Sequence, residues 1–169
     1  MLDLLPIYEH AARLRAAIES CERSILPITF TSFPRGACGD AALLLAKYLE
    51  VSGLGQFDYV LGERDGGSHA WLGRNELVVD ITADQFEEMP HPVVVERSSL
   101  WHASFHTEVL HVADFEIYDD RMRATLRGAY RAVIQCLPPR DAQPFGQPDR
   151  LQAALAGSLR ASRSGGWLP

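Results

Sequence analysis

Residues 37–53, ACGDAALLLAKYLEVSG, place Ala41, Ala42, Leu44, Leu45, Tyr48 and Leu49 at helical spacing. The segment is apolar on most sides, so it reads as a central helix, ended by Ser52 and Gly53. After it the period changes. FDYVLG (57–62) is aromatic and β-branched, and SHAWL (68–72) and ELVVDIT (76–82) are two short strands about a Gly73–Arg74–Asn75 turn. PVVVER (92–97) is a further strand. A helix followed by a run of strands, rather than strands alternating with helices, predicts an α+β fold in which the central helix packs on a small antiparallel sheet.

Working outward, Ile7, Ala11, Leu14 and Ile18 predict a first amphipathic helix over residues 7–22. Residues 24–33, interrupted by Pro27, read as an irregular connector, and ERDGG (63–67) as a loop. Residues 98–112 fit neither period. Residues 117–137 alternate apolar and basic side chains at helical spacing, and Arg121, Arg123, Arg127 and Arg131 form a stripe expected to face solvent. A Pro-rich loop (137–148), a short helix (149–162) and a frayed tail (163–169) complete a chain read as one domain, 1–169.

Composition narrows the functions. Of 169 residues, 47% are hydrophobic and 22% charged, which excludes disorder and coiled coil as whole-chain descriptions. A net charge of -6 is a poor match for a phosphate backbone, so nucleic acid is not an expected partner. No apolar run reaches the ~18 residues of a membrane span, and the first ten residues, with Asp3 and Pro6, do not read as a signal peptide. Three cysteines, widely spaced and without a CxxC pair, predict neither a disulfide framework nor a zinc knuckle. Cys21 and Cys136 are expected inside amphipathic helices as buried structural thiols, and the compartment as a reducing cytoplasm. The glycines lack the strand–turn–helix setting of a nucleotide fingerprint, so no cofactor is expected.

Cys38 is the residue that points to chemistry. It stands where a Gly-flanked loop becomes a helix, and a helix N-terminus offers unpaired N–H groups and partial positive charge, both favouring thiolate. Gly36 and Gly39 would let a substrate backbone approach, and the Cys38 N–H would meet an oxyanion. If Arg74 and Asn75 centre the hairpin, His69 lies directly opposite Asp80, close enough for imidazole to meet carboxylate. An Asp closing the apolar run ELVVD needs a partner, and His69 is the most economical one. Asp84 ranks behind Asp80 as an orienting carboxylate because it lies past the strand. Trp71, two residues from His69, shares its sheet face and would wall the cleft. In WHASFH, His102 and His106 would share a face if helical and could hold a metal, with His111 nearby. The Glu of an HExxH motif is missing, so a cleft lining or plain surface is the stronger reading and no metal is expected.

Taken together, ACGDAALLLAKYLEVSG, FDYVLG, SHAWL and LVVDIT resemble the transglutaminase-like core of the papain-like cysteine enzymes, over residues 33–86. The resemblance implies a papain-like or transglutaminase-like fold with flanking helices. It makes Cys38 the nucleophile, His69 the base and Asp80 the orienting carboxylate. The expected activity is thiol-dependent acyl transfer on a peptide or protein amide, as a peptidase or amidase; the alternatives are a transglutaminase or acyltransferase with an amine acceptor, and a non-catalytic binding module. Two departures stand out. Leu77–Val79 replace the Trp often found before the Asp, and Thr31–Phe33 stand where a papain-type Gln would supply an oxyanion donor.

Overall fold

Helix α1 (Leu5–Ser20) buries Ile7, Ala11, Leu14 and Ile18, the residues whose spacing predicted it. The computed structural model describes residues 4–139, within one compact unit; the readings made for 140–169 lie outside the described residues. Two 3-10 turns, Arg23–Ile25 and Ile28–Phe30, make up the connector. Helix α2 (Cys38–Val51) begins at the cysteine itself and buries an unbroken run from Ala41 to Ala46. Helix α3 (Asp120–Gln135) starts three residues later than the apolar period suggests, because the Asp119 carboxylate accepts the Met122 N–H and caps it.

Five antiparallel strands follow α2: β1 (Asp58–Arg64), β2 (Gly67–Arg74), β3 (Leu77–Asp80), β4 (Val94–Arg97) and β5 (His106–Val112). Their order across the sheet is β4-β3-β2-β1-β5. The ambiguous stretch 98–112 resolves into a 3-10 turn, His102–Ser104, and the edge strand β5, whose side chains are almost all exposed and so give no period. Residues 63–67 are a tight hairpin rather than a loop. Asp65 and Gly66 alone lie outside the strands, both at positive φ (52° and 77°).

Strand alternation divides the sheet into two faces. Leu72, Leu77 and Val79 join the main core with α1, α2 and α3; Val60 and Trp71 belong to a second, smaller cluster with Phe105. Gly62 makes this second cluster possible. A Cβ there would lie 2.4 Å from Trp71 Cη2 and 2.9 Å from Phe105 Cβ.

The cysteine reading is corrected at both helix ends. Cys21 and Cys136 are not inside helices but at the C-caps of α1 and α3, and they are paired as a disulfide with Cα atoms 5.9 Å apart. The pairing joins residues 115 apart in sequence, a proximity created by α1 packing on α3. It also removes the unpaired-cysteine argument for a reducing compartment. No described helix is long and apolar enough to cross a membrane.

Candidate active site

Cys38 is the first residue of α2, partly buried, with Ala37 at the N-cap and no side-chain cap competing for the free N–H groups. Gly36 precedes it at φ +76°, a left-handed conformation that brings the chain into the helix. No atom lies within 4 Å of a Cβ built there, so the glycine serves the turn. Gly39 does not hold open a path for a substrate backbone. A Cβ at that position would lie 2.8 Å from the Tyr59 hydroxyl, which fills the space.

The hairpin carrying His69 and Asp80 has a different register from the one read in the sequence. Leu72 pairs with Val79, Gly73 with Val78 and Arg74 with Leu77, so Asn75 and Glu76 centre the turn, with Asn75 at φ 55°. His69 is therefore not directly opposite Asp80; continued one step, the pairing sets Asp80 across from Trp71. The slip is two residues, an even number, and it leaves both side chains on the same face. The imidazole reaches the carboxylate diagonally, with Nε2 2.6 Å from Asp80 Oδ2, and both residues are buried.

Asp80 is saturated with donors. His69 Nε2 and His102 Nε2, at 2.6 and 3.1 Å, share Oδ2, while the Thr82 N–H and hydroxyl, at 2.8 and 3.0 Å, donate to Oδ1. Burial pushes this carboxyl up, but the hydrogen bonds from His102 and His69 and their charges outweigh it and hold Asp80 far below the usual range. Burial pushes His69 down; its hydrogen bonds to Asp80 and Cys38, and their charges, prevail and raise it to about 9. Burial likewise pushes the Cys38 thiol up, yet the hydrogen bond and charge of His69, aided by the Ala70 and Gly39 backbone N–H groups, bring it below its ordinary value. Of the three residues picked from sequence, His69 is thus coupled electrostatically to both Cys38 and Asp80.

The rival carboxylate is committed elsewhere. Asp84 takes two hydrogen bonds of 2.8 Å from Arg15, a buried guanidinium on α1 that also donates to the Ile81 carbonyl at 2.6 Å. This ion pair fastens the segment after β3 to α1. Trp71 is not an exposed cleft wall; only 3% accessible, it packs edge-on against His102 and Phe105.

Two residues of the network have contacts that the sequence does not give. The helix on which His102 and His106 would share a face is absent here: His102 is buried in the 3-10 turn and His106 is exposed at the start of β5. Ser99 Oγ lies 2.9 Å from His102 Nδ1, so a buried chain runs Ser99–His102–Asp80–His69. The i, i+3 pair Ser99/His102 amid aromatics was the available signal. The second is Gln85, whose amide nitrogen is 3.1 Å from His69 Nδ1 and 3.0 Å from the Thr82 carbonyl. Its spacing from Asp80 and Thr82 was visible, but nothing in a 3-10 turn is set by strand period.

Aromatic side chains seal the network. Phe86, Trp101, Trp71 and Phe105 all have ring centroids within 6.1 Å of the His69 ring, and the Arg64 guanidinium covers Phe105 from outside at 4.3 Å. Arg64 is held in turn by Glu88.

His69, Asp80 and His102 bring one donor atom each within 4.8 Å of one another, a grouping that invites comparison with a metal centre. Tetrahedral co-ligands about 2.0–2.2 Å from an ion stand roughly 3.3 Å apart. The 2.6 Å separation of His69 Nε2 and Asp80 Oδ2 is that of a shared proton instead. Compared with family models, curated proteins and solved structures, the chain gives no significant match.

Proposed function

We propose that the protein is a thiol-dependent acyl-transfer enzyme of transglutaminase-like or papain-like type, with Cys38 as nucleophile, His69 as base and Asp80 as the orienting carboxylate. The observation that carries this reading is the joint placement of a partly buried thiol at a helix N-terminus, a histidine close enough for its imidazole to lower that thiol's pKa, and a buried carboxylate hydrogen-bonded to that histidine. In this reading Cys38 attacks an amide or peptide carbonyl after passing its proton to His69 Nδ1. Asp80 stays anionic and holds the ring through Nε2. The leaving amine takes the proton back from His69, and a thioester on Sγ remains. Water as the acceptor gives a peptidase or amidase; an amine gives a transglutaminase or acyltransferase. The free N–H groups at the start of α2 would meet the carbonyl oxygen as it gains charge.

The test is alkylation of the folded, unreduced protein with iodoacetamide near neutral pH. Cys38 should label at least tenfold faster than a free cysteine of unperturbed pKa. His69→Asn should abolish that advantage. Labelling of Cys38 at the rate of an ordinary thiol, with no response to His69→Asn, excludes the enzyme reading and leaves a binding module.

A further inference from the structure

Gln85 contacts the histidine nitrogen that the proposed chemistry needs. Two distances fix its orientation. The Thr82 carbonyl can only accept, so the group 3.0 Å from it must be the Gln85 amide nitrogen rather than its oxygen. The same nitrogen lies 3.1 Å from His69 Nδ1 and donates its second proton there. Nδ1 must then be bare. From the other side, Asp80 Oδ2 accepts at 2.6 Å and fixes a proton on Nε2. The Gln85 contact at Nδ1 and the Asp80 contact at Nε2 thus favour the Nε2–H tautomer whenever the ring is neutral, against the pull of the neighbouring charges toward the imidazolium.

This arrangement opposes the first step of the reaction. A proton leaving Cys38 for His69 lands on Nδ1, whose single in-plane lone pair Gln85 already holds. Once protonated, Nδ1 can no longer accept, and the Gln85 amide faces it proton against proton. The other groups around the ring pull the opposite way or not at all. Cys38 from α2 and Asp80 from β3 favour the charged ring. His102, from the turn after β4, is turned toward the same Asp80 oxygen. Trp71, Phe86, Trp101 and Phe105 carry no charge, and Arg64 is paired with Glu88 outside them.

Resting on the acyl-transfer reading above, we infer that Gln85 is a positioning residue that biases the Cys38–His69 pair toward its thiol–imidazole form, and that the thiolate–imidazolium pair is favoured further when the amide leaves Nδ1. Gln85 is half-buried and lies in a single 3-10 turn, Ala83–Gln85, so a side-chain rotation is enough to release it.

The experiment is the pH profile of Cys38 alkylation by iodoacetamide in the full chain, for wild type, Gln85→Leu and Gln85→Met. Both substitutions keep the side chain's bulk and remove its donor. In each, the midpoint should fall by about one pH unit, raising the rate about tenfold on the acid side of the wild-type midpoint. A merely structural role for Gln85 would leave that midpoint in place while lowering the thermal midpoint, which is recorded in parallel. In the His69→Asn background the Gln85 substitutions should leave the profile unmoved. An unchanged or higher midpoint in either variant with a wild-type near-UV spectrum overturns the inference, while a His69→Asn shift in the same series leaves the acyl-transfer reading standing. If His69→Asn leaves the wild-type profile untouched, the acyl-transfer reading fails, and this inference with it.

Discussion

The two faces of the sheet are built on opposite principles. On the helix-covered face, Leu72, Leu77 and Val79 meet α1, α2 and α3 in a core of aliphatic side chains, with Leu14, Leu44, Leu45 and Leu49 wholly buried. On the other face, Asp80, His69 and His102 are equally inaccessible, and two loop segments cover them with Phe86, Trp101 and Phe105. Aliphatic packing is non-directional and proportional to area, so many sequences would satisfy the first face. A buried carboxylate is tolerated only when each lone pair finds a donor, so the second face depends on four particular hydrogen bonds. The contrast teaches that the loop-covered face spends stability on holding a carboxylate in place.

The contrast can be broken most sharply at Asp80. Asp80→Ala leaves two imidazoles and a backbone N–H without their acceptor, and should cost roughly 3–5 kcal/mol in urea unfolding, together with the enhanced reactivity of Cys38. The pH dependence has a definite sign. The folded-state pKa of Asp80 is depressed, so its contribution is fully present above the unfolded carboxyl value of about 4 and is lost as pH falls through the lower folded value. Wild type should therefore lose stability below about pH 4 more steeply than Asp80→Ala; parallel curves would mean that Asp80 is not a paired anion.

On the helix-covered face the corresponding experiment is reduction, or Cys136→Ser. Opening a closure between residues 115 apart should cost about 2–5 kcal/mol. Since the pair lies at the ends of α1 and α3, the Cys38 alkylation profile should not move. A coupled loss of Cys38 reactivity would show that the two faces are not independent.

A smaller effect sharpens the description of the loop-covered face. Gly62→Ala puts a methyl group against Trp71 and Phe105 and should destabilise by roughly 1–3 kcal/mol. Gly128→Ala in α3, with no atom within 4 Å of the new Cβ, should be neutral or mildly stabilising. Similar unfolding midpoints for the two variants would show that the aromatic cluster yields without cost.

Legibility followed the range of the interaction. The α1, α2, β1 and β3 segments were readable because each repeats apolar residues at its own local period. Strand β5 was not, because its exposed edge position leaves His106–Val112 without a buried face to mark. The His69–Asp80 pair was reached through a register two residues away from the true one. It survived because strand side chains repeat every two residues, so an even slip preserves the face while an odd one would have sent Asp80 into the helix-covered core. The disulfide was misread because Cys21 and Cys136 meet only after α1 and α3 have packed.

The sequence by itself determined which residues are apolar at which period, and so the α+β order, the start of α2 at Cys38 and the pairing of a histidine strand with an aspartate strand. These follow from local periodicity and from the cost of burying an unpaired carboxylate. Only the tertiary structure decided that His102 would become a second donor to Asp80, that Arg15 would claim Asp84, and that Gln85 would take the free nitrogen of His69. Each of those contacts joins segments whose approach is set by packing, and hydrogen-bond geometry selects a partner only after packing has brought the groups within about 3 Å.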